Sequence, residues 1–298
     1  MKKGIQPVDP NTFFENRFQN KVLLITGAAI NSIGGCTAIR AAKEGAKVVC
    51  VDIKKKELNE TIEQIKEFGG DALAILADIS KVEECNRIIT ETIEKYGKLD
   101  LVLNAAGVMD GNDPSKPQNF EESTHLFPSP IHNATDEYWD LVMKTNITGM
   151  FYAMRAQLNQ FLKQDTGGAI VNIGSIAGII GLPGNAAYSA SKHAVIGLTR
   201  NAAIDYAPNG IRVNSVNMAQ TDTPMVFRAY DFVKWAMDKG MGSGMAGGKS
   251  QSLLSMNDPN GRGSTPWEQA AIILFLLSDD ASNITGATIA TDGGWTTY

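Results

Sequence analysis

Tyr188 and Lys192 stand four residues apart in Tyr188-Ser189-Ala190-Ser191-Lys192, so a helix brings both side chains to one face. A free phenol ionises near pH 10 and is a poor proton acceptor at neutral pH. A neighbouring ammonium favours the phenolate and moves the pair toward proton transfer, as base or acid according to direction. Ser175, in Gly174-Ser175-Ile176-Ala177-Gly178, lies thirteen residues before the tyrosine at the end of an apolar run, where it can hydrogen-bond a substrate oxygen. Asn146, in Lys144-Thr145-Asn146-Ile147-Thr148-Gly149, is a poor helix former in an apolar, otherwise helical stretch. A buried amide there needs partners, and ordering a water chain to Lys192 is the use its position suggests. Each residue alone has an ordinary alternative as a helix surface, a cap or a turn.

A second group of residues points to a dinucleotide. Gly27, Gly34 and Gly35 lie where a first strand turns into a first helix, and small residues there let a pyrophosphate approach backbone N–H groups at a helix N-terminus. The turn that would face the phosphates runs through Asn31, Ser32, Ile33 and Gly34. Asp52 ends the second strand eighteen residues beyond Gly34, placed to accept hydrogen bonds from the adenosine ribose. Its carboxylate repels a 2′-phosphate, which favours NAD(H) over NADP(H). Asp78, after a third strand, is placed to meet the adenine, and Asn104-Ala105-Ala106-Gly107, after a fourth, puts small residues beside the cofactor.

The elements that must position these residues alternate. Strands are expected at 22–25, 47–51, 72–76, 99–103, 169–173, 212–217 and 287–290. Helices are expected near 38–44 and at 57–68, 82–96, 136–162, 187–207 and 267–277. Such alternation specifies an α/β fold, a doubly wound Rossmann-type sheet of about seven parallel strands flanked by helices. Residues 21–298 then form a single domain preceded by an extension, residues 1–20. Two stretches break the pattern: a Pro-containing insertion at 110–133, and residues 223–264. The latter are rich in glycine from 240 to 248 and carry Met225, Phe227, Tyr230, Phe232, Trp235, Met237, Met241 and Met245. We read that second stretch as an irregular lid over an apolar substrate.

With 43% hydrophobic and 20% charged residues the chain can fill a core, and a net charge of −5 offers no attraction to nucleic acid or an anionic membrane. No apolar run approaches the roughly 18 residues of a membrane span. The cysteines Cys36, Cys50 and Cys85 show no CxxC spacing and read as buried free thiols, and the three histidines suggest no metal site. A cytoplasmic protein is expected.

At these residues the chain resembles the short-chain dehydrogenase/reductase family over roughly residues 21–295. The resemblance is carried by Thr26-Gly27 through Gly34, Asn104-Ala105-Ala106-Gly107, Asn146, Ser175, Tyr188 with Lys192, and Asp292-Gly293-Gly294. It implies a catalytic tetrad of Asn146, Ser175, Tyr188 and Lys192. It also implies cofactor contacts from Ile79 and Asn104, a carboxamide contact from Thr223, and a homodimer or homotetramer. The glycine turn departs from the family pattern by one extra residue, with Asn31 or Ser32 in place of the middle glycine. In this it looks like the enoyl reductase branch, but that branch spaces its tyrosine and lysine more widely, and Ala194 stands at the wider position. Met218-Ala219 replaces a usual Pro-Gly. Bacterial hydroxysteroid dehydrogenases of the family look similar, so the expected substrate is a bulky apolar secondary alcohol or ketone, a 20β-hydroxysteroid in particular. A 3-oxoacyl-thioester reductase, a sugar-alcohol dehydrogenase and a non-catalytic NAD(H)-sensing or scaffold protein are the alternatives.

Overall fold

Seven short apolar runs form one parallel sheet: β1 (Val22–Thr26), β2 (Lys47–Asp52), β3 (Ala72–Leu76), β4 (Leu101–Asn104), β5 (Gly168–Ile173), β6 (Ile211–Met218) and β7 (Thr288–Thr291). The computed structural model describes residues 5–114, 116, 118–240, 252–258 and 261–297. The strand order is β3-β2-β1-β4-β5-β6-β7, so the order reverses between β1 and β4. Thr26 at the tip of β1 pairs with Val51 on one side and Asn104 on the other. Successive helices leave such a sheet on opposite faces, which opens a crevice at the strand C-terminal ends beside that reversal.

The helices are α1 (Ile33–Lys43), α2 (Lys55–Glu67), α3 (Val82–Tyr96), α4 (Asp136–Met143), α5 (Met150–Gln164), α6 (Ala186–Tyr206), α7 (Pro224–Asp238), α8 (Leu253–Asn257) and α9 (Pro266–Leu277). One face of the sheet packs Leu23 and Ile25 of β1 against Ala38 of α1, Leu58 of α2 and Ile273 of α9. The other packs Val22 and Leu24 against Ile88 of α3, Met150 of α5 and Val195 of α6. All five residues of β1 are buried, as expected of a parallel strand covered on both faces.

Two expectations change. The helix expected at 136–162 widens into a π-helical turn over Lys144–Gly149 before continuing as α5. The lid expected to be irregular begins as fifteen residues of helix, α7, whose first turn is capped by the Thr223 hydroxyl accepting from the Val226 N–H, with Pro224 in its first turn. Thr-Pro is a helix-start signal, since proline at N1 gives up only an orphan N–H. Phe232 and Ala236, four apart and both buried, give that helix its inner face. Met241, Met245 and the glycines at 242–248 lie outside the described residues.

The chain before β1 also joins the core. Phe18 is 1% exposed and packs with β1 and α1. The N–H of Phe18 donates to the Glu44 carbonyl at 2.9 Å. The fully buried carboxylate of Glu44 accepts from Arg17 Nε at 2.6 Å and from Arg40 Nε at 3.0 Å. Removing a partner from a buried ionic cluster leaves uncompensated charge. Glu44→Ala is therefore expected to lower unfolding free energy by about 3–5 kcal/mol, read from the urea midpoint. A change under about 1 kcal/mol would mean that the segment does not hold β1 and α1 together.

Candidate active site

The crevice at the strand ends is a cleft of about 1120 Å³ that runs from Asp52 past the tip of β1 to Tyr188 and α7. At its nucleotide end Gly27 has φ +75°, and a Cβ there would sit 2.6 Å from the Ala106 backbone nitrogen. A Cβ on Gly34 would meet the Gly27 carbonyl oxygen at 2.3 Å. These glycines let α1 begin against the end of β1. Asn31 adopts φ +60°, the left-handed conformation that favours glycine, and Asn is among the few other residues that tolerate it. Ser32 caps α1: its hydroxyl accepts from the Gly35 N–H at 3.0 Å and donates to the Ala29 carbonyl at 2.6 Å. Ser32 is thus the helix cap, and Asn31 and Ile33 line the cleft around it with Gly27 and Gly34.

Asp52 lines the cleft one strand away. Its carboxylate accepts from the Ala29 N–H at 2.9 Å and from the Lys54 N–H at 3.0 Å. Burial raises its pKa, and these two hydrogen bonds pull it back. Asp78, Ile79, Ala105 and Gly107 continue the wall, with the Asp78 carboxylate accepting from the Ser80 N–H at 2.9 Å. A cradle cleared of Cβ atoms at a helix N-terminus, next to a carboxylate at the tip of β2, fits a dinucleotide pyrophosphate and its ribose.

At the other end Ser175, Tyr188 and Lys192 meet on one wall. Ser175 stands at the end of β5, and its hydroxyl accepts from the Ala177 N–H at 3.1 Å. Tyr188 and Lys192 lie one turn apart on α6, both buried, with Lys192 Nζ 5.5 Å from the phenol ring centroid and donating to the Ile173 carbonyl at 2.9 Å. Burial raises the Tyr188 pKa, and the Ser175 hydroxyl lowers it. Burial lowers Lys192 to about 8. The phenol's shift thus runs against the sequence expectation that the ammonium brings it down: burial of the phenol dominates, and Lys192 Nζ donates to the Ile173 carbonyl.

Two predicted residues do not face the cleft. Asn104 is 2% exposed, and its amide is used by Gln157 and by Asn172 at 3.0 Å. It braces β4 against α5 and β5 from beneath the cofactor wall. Asn146, within the π turn, accepts from the Val108 N–H and donates to the Val108 carbonyl, each at 2.8 Å, and donates to Ser191 Oγ at 3.1 Å. Its side chain holds the loop after β4. Thr223 does line the cleft, with its oxygen accepting from the first turn of α7 at 3.4 Å. Ser191 was missed by sequence reasoning; its place between Tyr188 and Lys192 on α6 was the available signal.

A family model described as enoyl-(acyl carrier protein) reductase matches residues 27–296. The 3beta-hydroxysteroid dehydrogenase of Mediterraneibacter gnavus is 38% identical over 296 residues, covering 96% of this chain and 98% of that protein. The crystal structure of a levodione reductase superposes with TM-score 0.79 at 30% identity, over 94% of this chain and all of the other. That of an NAD+-bound xylitol dehydrogenase gives TM-score 0.78 at 28% identity, over 93% and 99% of the two chains. The chain belongs to the short-chain dehydrogenase/reductase family, oxidoreductases that act on CH–OH groups. The matched model's description names C=C reduction, yet at the wider tyrosine–lysine spacing of the enoyl branch this chain has Ala194.

Proposed function

We propose that this chain interconverts a bulky apolar secondary alcohol, a hydroxysteroid, and its ketone with NAD(H). The observation that carries the reading is the Ser175 hydroxyl beside the buried Tyr188 phenol on the cleft wall, with the Lys192 ammonium beneath. The 3beta-hydroxysteroid dehydrogenase relative and the apolar side chains lining the cleft, Leu182, Met225 and Val233 among them, support the substrate class. The residues of α1's N-terminus and Asp52 would hold the dinucleotide, and Thr223 lies where the nicotinamide end would reach. When bound, that ring supplies or accepts the hydride.

The protein's part is proton transfer and alignment. In oxidation, Tyr188 Oη takes the proton of the substrate hydroxyl while Ser175 hydrogen-bonds the same oxygen and fixes its distance from the phenol. Lys192 keeps positive charge next to the phenolate as it forms. In reduction, Tyr188 returns the proton to the carbonyl oxygen. Asn146 acts through Val108 and Ser191, as a positioning residue. Three buried free cysteines suit a reducing cytoplasm. Apolar side chains exposed on α5 and α6, Phe151, Leu162 and Ile204, suit the face of a homodimer or homotetramer.

Tyr188→Phe should lower turnover of a hydroxysteroid by about 100-fold or more while NADH still binds. In the unaltered protein kcat/KM for oxidation should fall as pH rises through about 8, where Lys192 loses the charge that supports the phenolate; a profile flat across that range would mean that Lys192 keeps its proton there. Near-normal activity in the phenylalanine variant would end the assignment, and failure of a steroid panel beside acyl thioesters and polyols would end the steroid reading. Asp52→Asn keeps the hydrogen-bonding shape and removes the charge, so the ratio of NADP to NAD efficiency should rise by about tenfold or more; an unchanged ratio places discrimination elsewhere. Sedimentation velocity should give a dimer or tetramer rather than a 32.0 kDa particle.

A further inference from the structure

The cleft wall carries more polar chemistry than proton transfer uses. Gln118 Nε2, Arg228 Nε and Asn185 Oδ1 are buried atoms on lining residues, and none has a hydrogen-bond partner among the described residues. An unpaired buried donor or acceptor forfeits free energy, so such atoms on residues that line a cavity point to a ligand that completes them.

The two donors sit on a built roof. Arg228 lies on α7, where Nη2 donates to Asp110 Oδ2 at 2.8 Å, and Asp110 is itself buried. One turn further along α7, Phe232 stacks on Phe127 of the insertion with ring centroids 3.8 Å apart and meets Phe120 edge-on at 5.9 Å. Gln118 precedes Phe120 by two residues. The aromatic contacts thereby hold the insertion and α7 together, with Gln118 of one and Arg228 of the other both among the residues that line the cleft. Asn185 lies in the loop that leads into α6, three residues before Tyr188. Its Nδ2 donates to the Pro183 carbonyl at 2.9 Å, which leaves Oδ1 as the open atom. Asp110 neutralises Arg228, so a ligand carboxylate at that point would meet a like charge. A neutral oxygen fits.

We propose that the substrate carries a second, uncharged oxygen, a keto or hydroxyl group remote from the reacting carbon, held by Arg228 and Gln118. The inference rests on the alcohol–ketone reading above. It defines the substrate class as an apolar ring skeleton oxygenated at both ends. The test is isothermal titration of the protein–NAD+ complex, which cannot reduce a ketone, with two ketones of one steroid skeleton, a diketone and a monoketone lacking the remote oxygen. The diketone should bind about tenfold or more tightly, the size of a hydrogen bond to a charged donor. Arg228→Met with Gln118→Leu should bring the ratio near one. Gln118→Leu alone, which leaves the Asp110 pair intact, should reduce it about threefold. Unchanged NADH affinity in both variants shows that the fold is kept. Equal affinities in the unaltered protein, binding of neither ketone, or a ratio that survives the double substitution overturns the proposal. A diketone bound with the expected preference but never reduced when NADH is supplied would count against the Tyr188 chemistry alone.

Discussion

A primary amide buried in an apolar interior must find all its partners inside the protein or forfeit free energy comparable to several ordinary contacts. Asn146 finds them on two separate pieces of chain, with both atoms of its amide on the Val108 backbone and one donor on Ser191 of α6. That single side chain fixes the loop after β4 and the rotation of α6 about its axis. Because Ser191 lies between Tyr188 and Lys192, the direction in which the phenol points follows from it. Gly107 contributes by omission: a Cβ there would stand 3.1 Å from the Asn146 oxygen and 3.7 Å from Lys192 Nζ. The π turn at Lys144–Gly149 places the amide at this crossing, a use typical of such local widenings.

The same logic runs on beneath the site. Asn104, Gln157 and Asn172 exchange hydrogen bonds across β4, α5 and β5, and Asn172 reaches Thr199 of α6 at 3.0 Å. A polar ladder of this kind inside a core tolerates few alternative packings, since each shift strands a donor or acceptor. It lies directly under the strand tips that line the cleft. The stiffness of the wall that carries Ser175, Tyr188 and Lys192 therefore comes from amides that do not line the cleft.

Most of the sheet was legible because parallel strands buried on both faces are continuous apolar runs. The Ala72–Leu76 strand and the Val82–Tyr96 helix carry the boundaries expected of them, and the others differ by a few residues at their ends. That Tyr188, Lys192 and Ser175 meet on one cleft wall was legible by spacing, and that Asp52 lines the same cleft by its place at a strand tip. What was not legible depends on partners remote in sequence. Asn104 has the composition of a cofactor contact, yet Gln157, fifty-three residues away, takes its amide. The helix α7 was hidden by its Met and aromatic content, which suits a lid as well as a helix. Only the packing of Phe232 on Phe127 of the insertion decides between the two. The pairing of Arg228 with Asp110, across 118 residues, has no local signal at all.

Asn31 has a consequence for how the cleft receives its ligand. A glycine in that left-handed position would sample many backbone states in the free protein, whereas asparagine samples fewer and here already holds the required one. With Ser32 tied to Gly35 and Ala29 on either side, the turn into α1 is braced by its own hydrogen bonds. Little conformational entropy is left to be lost on association, so the contacts made there go largely into affinity. The replaced glycine makes the turn a preformed socket instead of one moulded around its guest.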